Sequence, residues 1–282
     1  MARAEDAEVG TLKEHAFLPS LPARGAVICL HGHGDYSSRY EEILEPFLRR
    51  GLHCISTDLP GHGGSPGKRG FVPDMACIDR IVRDNLTRAR DLCPDGPIGL
   101  IGHSVGGLLA LRELLHPQHD YRFAWISSPL LHPESTRHPF VVACLRALSK
   151  FFPGIALDTG VRGASCRHFD DELEQVKWTS GPFHSQISLR WGCDLITAAR
   201  EVRHGFAIHP APLPLLFTQG SADPVCDADS LRRFLQVSNF PNATHLEFEE
   251  QLHEPFVDYD RHRVRAAIGA WIDRILDIPN AK

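Results

Sequence analysis

The pentapeptide Gly102-His103-Ser104-Val105-Gly106 sets a serine between two glycines, directly after the apolar run Ile98-Gly99-Leu100-Ile101 and directly before a helical pattern. A strand that turns sharply into a helix lifts the serine hydroxyl clear of the sheet, and flanking glycines admit backbone that side chains would obstruct. That arrangement suits nucleophilic attack on a carbonyl carbon. A bare hydroxyl is a weak nucleophile near neutral pH, so Ser104 needs a general base, and the base needs an orienting carboxylate. In the chain order Ser, acid, His, the candidates are Asp223, in Gln219-Gly220-Ser221-Ala222-Asp223-Pro224 after the run Leu215 to Thr218, and His253, after the run ending at Phe248. Both sit in loops beyond the carboxyl ends of strands, where open parallel sheets gather reactive groups. Asp227 is the rival acid, but its position suits capping of a helix over 227–236. Glu254 is expected to be a solvated neighbour of the base.

The tetrahedral intermediate of such a reaction needs N–H donors for its oxyanion, one from the residue after the nucleophile and one from a loop after an earlier strand. Val105 meets the first requirement, and His33, in His31-Gly32-His33-Gly34 after the run Ala26 to Leu30, meets the second. A metal held by His31, His33 and His62 is the competing reading, disfavoured because no Asp or Glu lies at ligand spacing. Leu59 to Lys68 fits neither GxGxxG nor GxxxxGK[ST], so it reads as a tight structural turn rather than a nucleotide site.

The elements that must position these residues are short apolar runs alternating with helical patterns. The runs are 26–30, 53–57, 98–101, 123–126, 215–218 and 245–248, and the helices are expected over 40–50, 74–92, 105–115, 227–236 and 259–276. This alternation implies a mostly parallel sheet with helices on both sides. Residues 9–17 are expected to add an antiparallel edge hairpin. About 80 residues between Ser128 and Leu213 break the rhythm, too many for an ordinary connection. Within them Phe140, Val141, Cys144, Leu145, Leu148, Phe151 and Phe152 recur at helical spacing. That face either covers a site or membrane interface, or packs the core of an inserted subdomain.

The 282 residues are 43% hydrophobic and carry a net charge of −5, which supports a sizeable core and gives no attraction for a nucleic-acid backbone. The eight cysteines form no CxxC pair and read as reduced core thiols. The first ten residues lack a secretory apolar region and no run is long enough to span a bilayer, so a cytoplasmic protein is expected.

These residues resemble the serine α/β-hydrolases, and within them the monoacylglycerol lipase and lysophospholipase group. The resemblance rests on HGxG continued as Asp35-Tyr36-Ser37-Ser38-Arg39-Tyr40, on Asp58-Leu59-Pro60-Gly61-His62-Gly63-Gly64-Ser65, on GHSxGG, on Ser128-Pro129, and on Gln219 to Asp223 with Cys226 and Asp227. It implies an α/β-hydrolase fold: a mostly parallel central sheet flanked by helices, with a helical cap inserted after the sixth strand. The core would be 1–128 with 204–282, and the cap 129–203. It also implies a triad of Ser104, Asp223 and His253, an oxyanion hole from the amides of His33 and Val105, and no cofactor or metal. The cap would lead a single acyl chain to the serine and touch a membrane, with Phe140, Leu148, Phe152 and Trp178 toward the substrate. Two departures concern the head group: Trp178 to Pro182 replaces a Tyr-Asn-Ser-Asp-Pro type stretch, and His33 stands where a smaller residue is common. The expected substrate is a monoacylglycerol, with lysophospholipase, carboxylesterase or thioesterase activity as the alternative on the same triad. A non-catalytic ligand-binding homologue is the reading from another class.

Overall fold

The six apolar runs become the parallel strands of one sheet in the computed structural model, which describes residues 10–117, 119–134, 138–168 and 181–276. They are β2 (Gly25–Leu30), β3 (Leu52–Thr57), β4 (Ile98–His103), β5 (Phe123–Ser127), β8 (Leu215–Gly220) and β9 (Ala243–Phe248). With the antiparallel edge strand β1 (Glu14–Phe17), the order is β1-β3-β2-β4-β5-β8-β9. The central strands β2, β4, β5 and β8 are buried along their whole length, as expected for strands covered on both faces.

Two apolar layers do the covering. On one side, α2 (Met75–Leu92) and α3 (Val105–Glu113) pack Ile78, Ile81, Leu108 and Leu109 against Ile28, Leu100 and Ile126. On the other, α1 (Glu41–Leu48) and α8 (Arg261–Leu276) pack Leu44, Phe47, Ile268 and Trp271 against Val27, Phe123 and Trp125. Asp74 and Asp227 cap the N-termini of α2 and of α7 (Ala228–Val237), each carboxylate accepting a backbone N–H.

Three expectations are corrected. Of the stretch 9–17, the described residues contribute the single strand β1 rather than a hairpin: β1 pairs with β3, and just before it Lys13 is tied to the 58–65 turn, its N–H donating to Ser65 Oγ and its carbonyl accepting the Asp58 N–H, so no second strand forms there. Among the described residues the insertion follows the fifth strand in chain order, β5, not the sixth. Its content is mixed: α4 (Pro139–Phe151), α5 (Gly163–Cys166) and α6 (Leu189–Ile208) accompany a two-stranded antiparallel pair, β6 (Ala156–Asp158) with β7 (Gln186–Ser188). Position 203 falls inside α6, whose Trp191, Leu195, Val202 and Phe206 enter the core layer of α2 and α3. Seven cysteines are buried and free, whereas Cys144 lies on the exposed side of α4.

Candidate active site

Ser104 sits between β4 and α3 with φ 56° and ψ −117°, a strained backbone for a residue with a side chain. Close backbone approaches explain why only glycine fits two positions to either side of it. A Cβ on Gly102 would lie 2.2 Å from the Gly106 carbonyl oxygen, and one on Gly106 would lie 1.9 Å from that of Leu30. The Ser104 N–H donates to the Ser127 carbonyl at 2.9 Å, which ties the turn to the end of β5.

Asp223 and His253 meet although 30 residues separate them. The His253 Nδ1–H donates to Asp223 Oδ2 at 2.7 Å, with both side chains buried. The carboxylate is held on every side: Gln219 Nε2 donates to Oδ2 at 2.7 Å, and the N–H groups of Val225 and Cys226 donate to Oδ1 at 2.7 and 3.0 Å. Burial pulls the His253 imidazole down, but the Asp223 charge and hydrogen bond push it up more strongly, and its pKa lies above the ordinary histidine value. The buried His103 ring covers that imidazole at a centroid distance of 4.7 Å. No hydrogen bond joins Ser104 to His253 in this structure. The serine hydroxyl instead neighbours the Cys226 thiol, which burial first and the Asp223 charge second keep protonated.

The HGxG loop is braced from within. The Leu59 N–H donates to His31 Nε2 at 3.0 Å, so His31 carries its proton on Nδ1 and donates it to the Gly32 carbonyl at 2.8 Å. The Gly32 N–H donates to the Tyr40 hydroxyl at 3.1 Å. Among the described residues, neither the His33 nor the Val105 N–H has a protein acceptor, and both residues line one cavity with Ser104 and His253. The His33, His62 and His184 rings cluster 4.8 to 5.4 Å apart behind this loop. Burial lowers the His33 pKa to about 3. The 58–70 stretch forms the expected turn: Gly61 and Gly63 adopt positive φ, and the Asp58 carboxylate accepts the N–H groups of Ser37 and Gly64.

The cavity encloses about 410 Å³, within the range of small-molecule sites. Its inner end is polar, with His33, Asp35, Ser104, His253 and Glu254, and the insertion supplies apolar walls from Leu145, Leu157, Ile187, Leu195 and Ile196. Phe140, Leu148 and Phe152, expected to face the substrate, do not line it and are 70%, 40% and 56% exposed. The inward stripe of α4 is Val142, Leu145 and Ser149, which leaves Phe140, Leu148 and Phe151 on the outward side. Trp178 lies outside the described residues.

Glu254 corrects its expectation most sharply. It is buried rather than solvated, and Arg39 donates to it through both Nη atoms while also pairing with Asp35 Oδ2 at 2.8 Å. One guanidinium thus bridges two buried carboxylates beside the base, a pairing across 215 residues that no local pattern announces. Arg39→Ala is expected to cost about 3–5 kcal/mol in denaturant unfolding, because it strands two buried acids. An unchanged midpoint would contradict that assignment.

Comparison with known proteins agrees with the geometry. A family model described as serine aminopeptidase, S33, matches residues 22–260. A Rattus norvegicus protein named monoglyceride lipase is 25% identical over 270 residues, covering 94% of this chain and 87% of the relative. A Bacillus subtilis protein named phospholipase YtpA is 25% identical over 256 residues, covering 89% and 95%. The crystal structure of a Paleococcus ferrophilus monoacylglycerol lipase superposes with a TM-score of 0.82 at 25% identity, covering 94% of this chain and 99% of that one.

Proposed function

This chain belongs to the serine aminopeptidase, S33, family, and from that premise we propose that it hydrolyses monoacylglycerols through an acyl-enzyme on Ser104. The observation that carries the proposal is the buried Asp223–His253 pair beside a strained serine, at the polar end of a cavity with apolar walls. His253 takes the Ser104 proton as the hydroxyl attacks the ester carbonyl, and Asp223 stabilises the resulting imidazolium. The N–H groups of His33 and Val105, the latter at the positive end of α3, stabilise the oxyanion. His253 returns the proton to the departing glycerol. Water then enters by the same base catalysis and releases the fatty acid.

The apolar walls favour a single acyl chain, and relatives named as monoglyceride lipases agree with that. The charges at the inner end favour a neutral head group. The Arg39 guanidinium there is engaged by both Asp35 and Glu254, so it is committed to these two acids rather than offered to a phosphodiester. The alternative, a lysophospholipase, draws on the relative named as a phospholipase. Fatty-acid release from 1-monooleoylglycerol, lysophosphatidylcholine and a soluble butyrate ester separates them. Fastest turnover is expected on monooleoylglycerol, and faster turnover of either other ester would overturn the substrate assignment.

Among the described residues no helix is long and apolar enough to cross a membrane. We propose peripheral contact through α4, where Phe140 and Phe151 are 70% and 78% exposed beside Phe152 and Leu148. An outward apolar face of this kind suits a lipid interface. Phe151→Glu with Phe152→Glu is expected to weaken liposome partitioning by about a hundredfold. Unaltered partitioning would count against the contact.

A further inference from the structure

The loop between β9 and α8 carries His253 but belongs to no strand or helix, so something else must hold its imidazole at hydrogen-bond precision. The N–H groups on either side of that residue answer the question. The Leu252 N–H donates to Asp258 Oδ2 at 3.1 Å, and the Glu254 N–H donates to the Cys166 carbonyl at 2.8 Å. Cys166 belongs to the insertion. Asp258 leads to the same place: its Oδ1 accepts the His168 N–H at 3.0 Å and the His168 Nδ1–H at 3.0 Å, together with the Tyr259 N–H at 2.9 Å. Both N–H groups flanking His253 are therefore tied to residues 166–168, one directly and one through a carboxylate.

Asp258 is fully buried, and a buried carboxylate is unfavourable unless its oxygens are hydrogen-bonded. Every acceptor bond described for it serves either the histidine loop or the insertion. His168 is 51% exposed, and its ring packs against Tyr259 at 5.4 Å, so it grips the loop from outside without entering the cavity. We propose that Cys166, His168 and Asp258 form a clasp by which the insertion positions His253, with His168 and Asp258 as positioning residues for the triad. The insertion then contributes to catalysis on substrates too small to use its apolar walls. This inference rests on the reading of Ser104 and His253 as nucleophile and base.

The test uses a probe that needs no acyl channel: a small water-soluble fluorophosphonate on the full-length chain, with kcat and KM for a p-nitrophenyl acetate type ester alongside. His168→Ala is expected to slow phosphonylation of Ser104 by about tenfold and to lower kcat by a similar factor with KM unchanged, since small misplacements of a catalytic group cost large factors in rate. His168→Asn keeps a side-chain donor toward Asp258 and is expected to recover part of both rates. Asp258→Asn is expected to lose more than His168→Ala, at the same KM. Thermal unfolding of His168→Ala controls for folding, since a half-exposed side chain leaves the melting temperature within a few degrees of the parent. Wild-type phosphonylation and kcat in His168→Ala would overturn the clasp. Failure of the parent chain itself to label at Ser104 would overturn the nucleophile assignment and the clasp with it.

Discussion

Ser104→Ala is expected to lower kcat for ester hydrolysis by about a millionfold, to the background left by the binding site and oxyanion donors. The magnitude follows from the division of labour. Without the hydroxyl there is no acyl-enzyme, and His253 cannot substitute because its task is to move the serine proton. The fold should survive, because Ser104 is held by backbone contacts: its N–H to Ser127, and its carbonyl from the N–H groups of Leu108 and Leu130. Alanine keeps all of these. A variant that melts like the parent and retains more than about a thousandth of its rate would place the nucleophile elsewhere.

Asp223→Asn is expected to cost about ten thousandfold in kcat at nearly unchanged size and shape. Both oxygens of Asp223 accept N–H donors, from His253 and Gln219 on one and from Val225 and Cys226 on the other. An amide must turn its NH2 toward one of those pairs. Facing His253, it forces the wrong tautomer; facing the backbone, it sets donor against donor. The pH profile carries a second signature. In the parent, His253 titrates above the ordinary histidine value, and the base must be neutral, so kcat/KM rises as pH increases through that raised pKa. Removing the carboxylate leaves burial as the dominant influence, which favours the neutral ring. The acid limb of the variant should therefore move to lower pH. A limb that stays put would show that Asp223 does not set the ionisation of His253.

The sheet and the positions of the three residues proposed as the triad are legible in the sequence because each depends on local pattern. Runs such as Val27 to Leu30 are apolar and bounded by turn residues, and Ser104, Asp223 and His253 each follow such a run by a few positions. What escaped depends on partners distant in the chain. Arg39 and Glu254 meet across 215 residues, and His168 meets Asp258 across 90, so neither pairing leaves a periodic trace. The insertion escaped for another reason. In α4 the residues Phe140, Val141, Val142, Cys144, Leu145 and Leu148 put apolar groups on nearly every side, so helical spacing alone could not separate the Val142–Leu145 stripe that faces inward from the Phe140–Leu148 side that faces out. Cys144 reads as a core thiol with the other seven because no CxxC pair singles it out, and α4 turns it outward instead.

The most direct test mixes the protein with excess 1-monooleoylglycerol, stops turnover in acid within milliseconds, and maps the acylated peptide by mass spectrometry. One oleoyl group is expected on the peptide carrying Ser104, formed as the first equivalent of glycerol leaves and before oleate accumulates, and absent from Ser104→Ala. An oleoyl group found instead on the neighbouring Cys226, or steady oleate release from Ser104→Ala with no adduct, would contradict it.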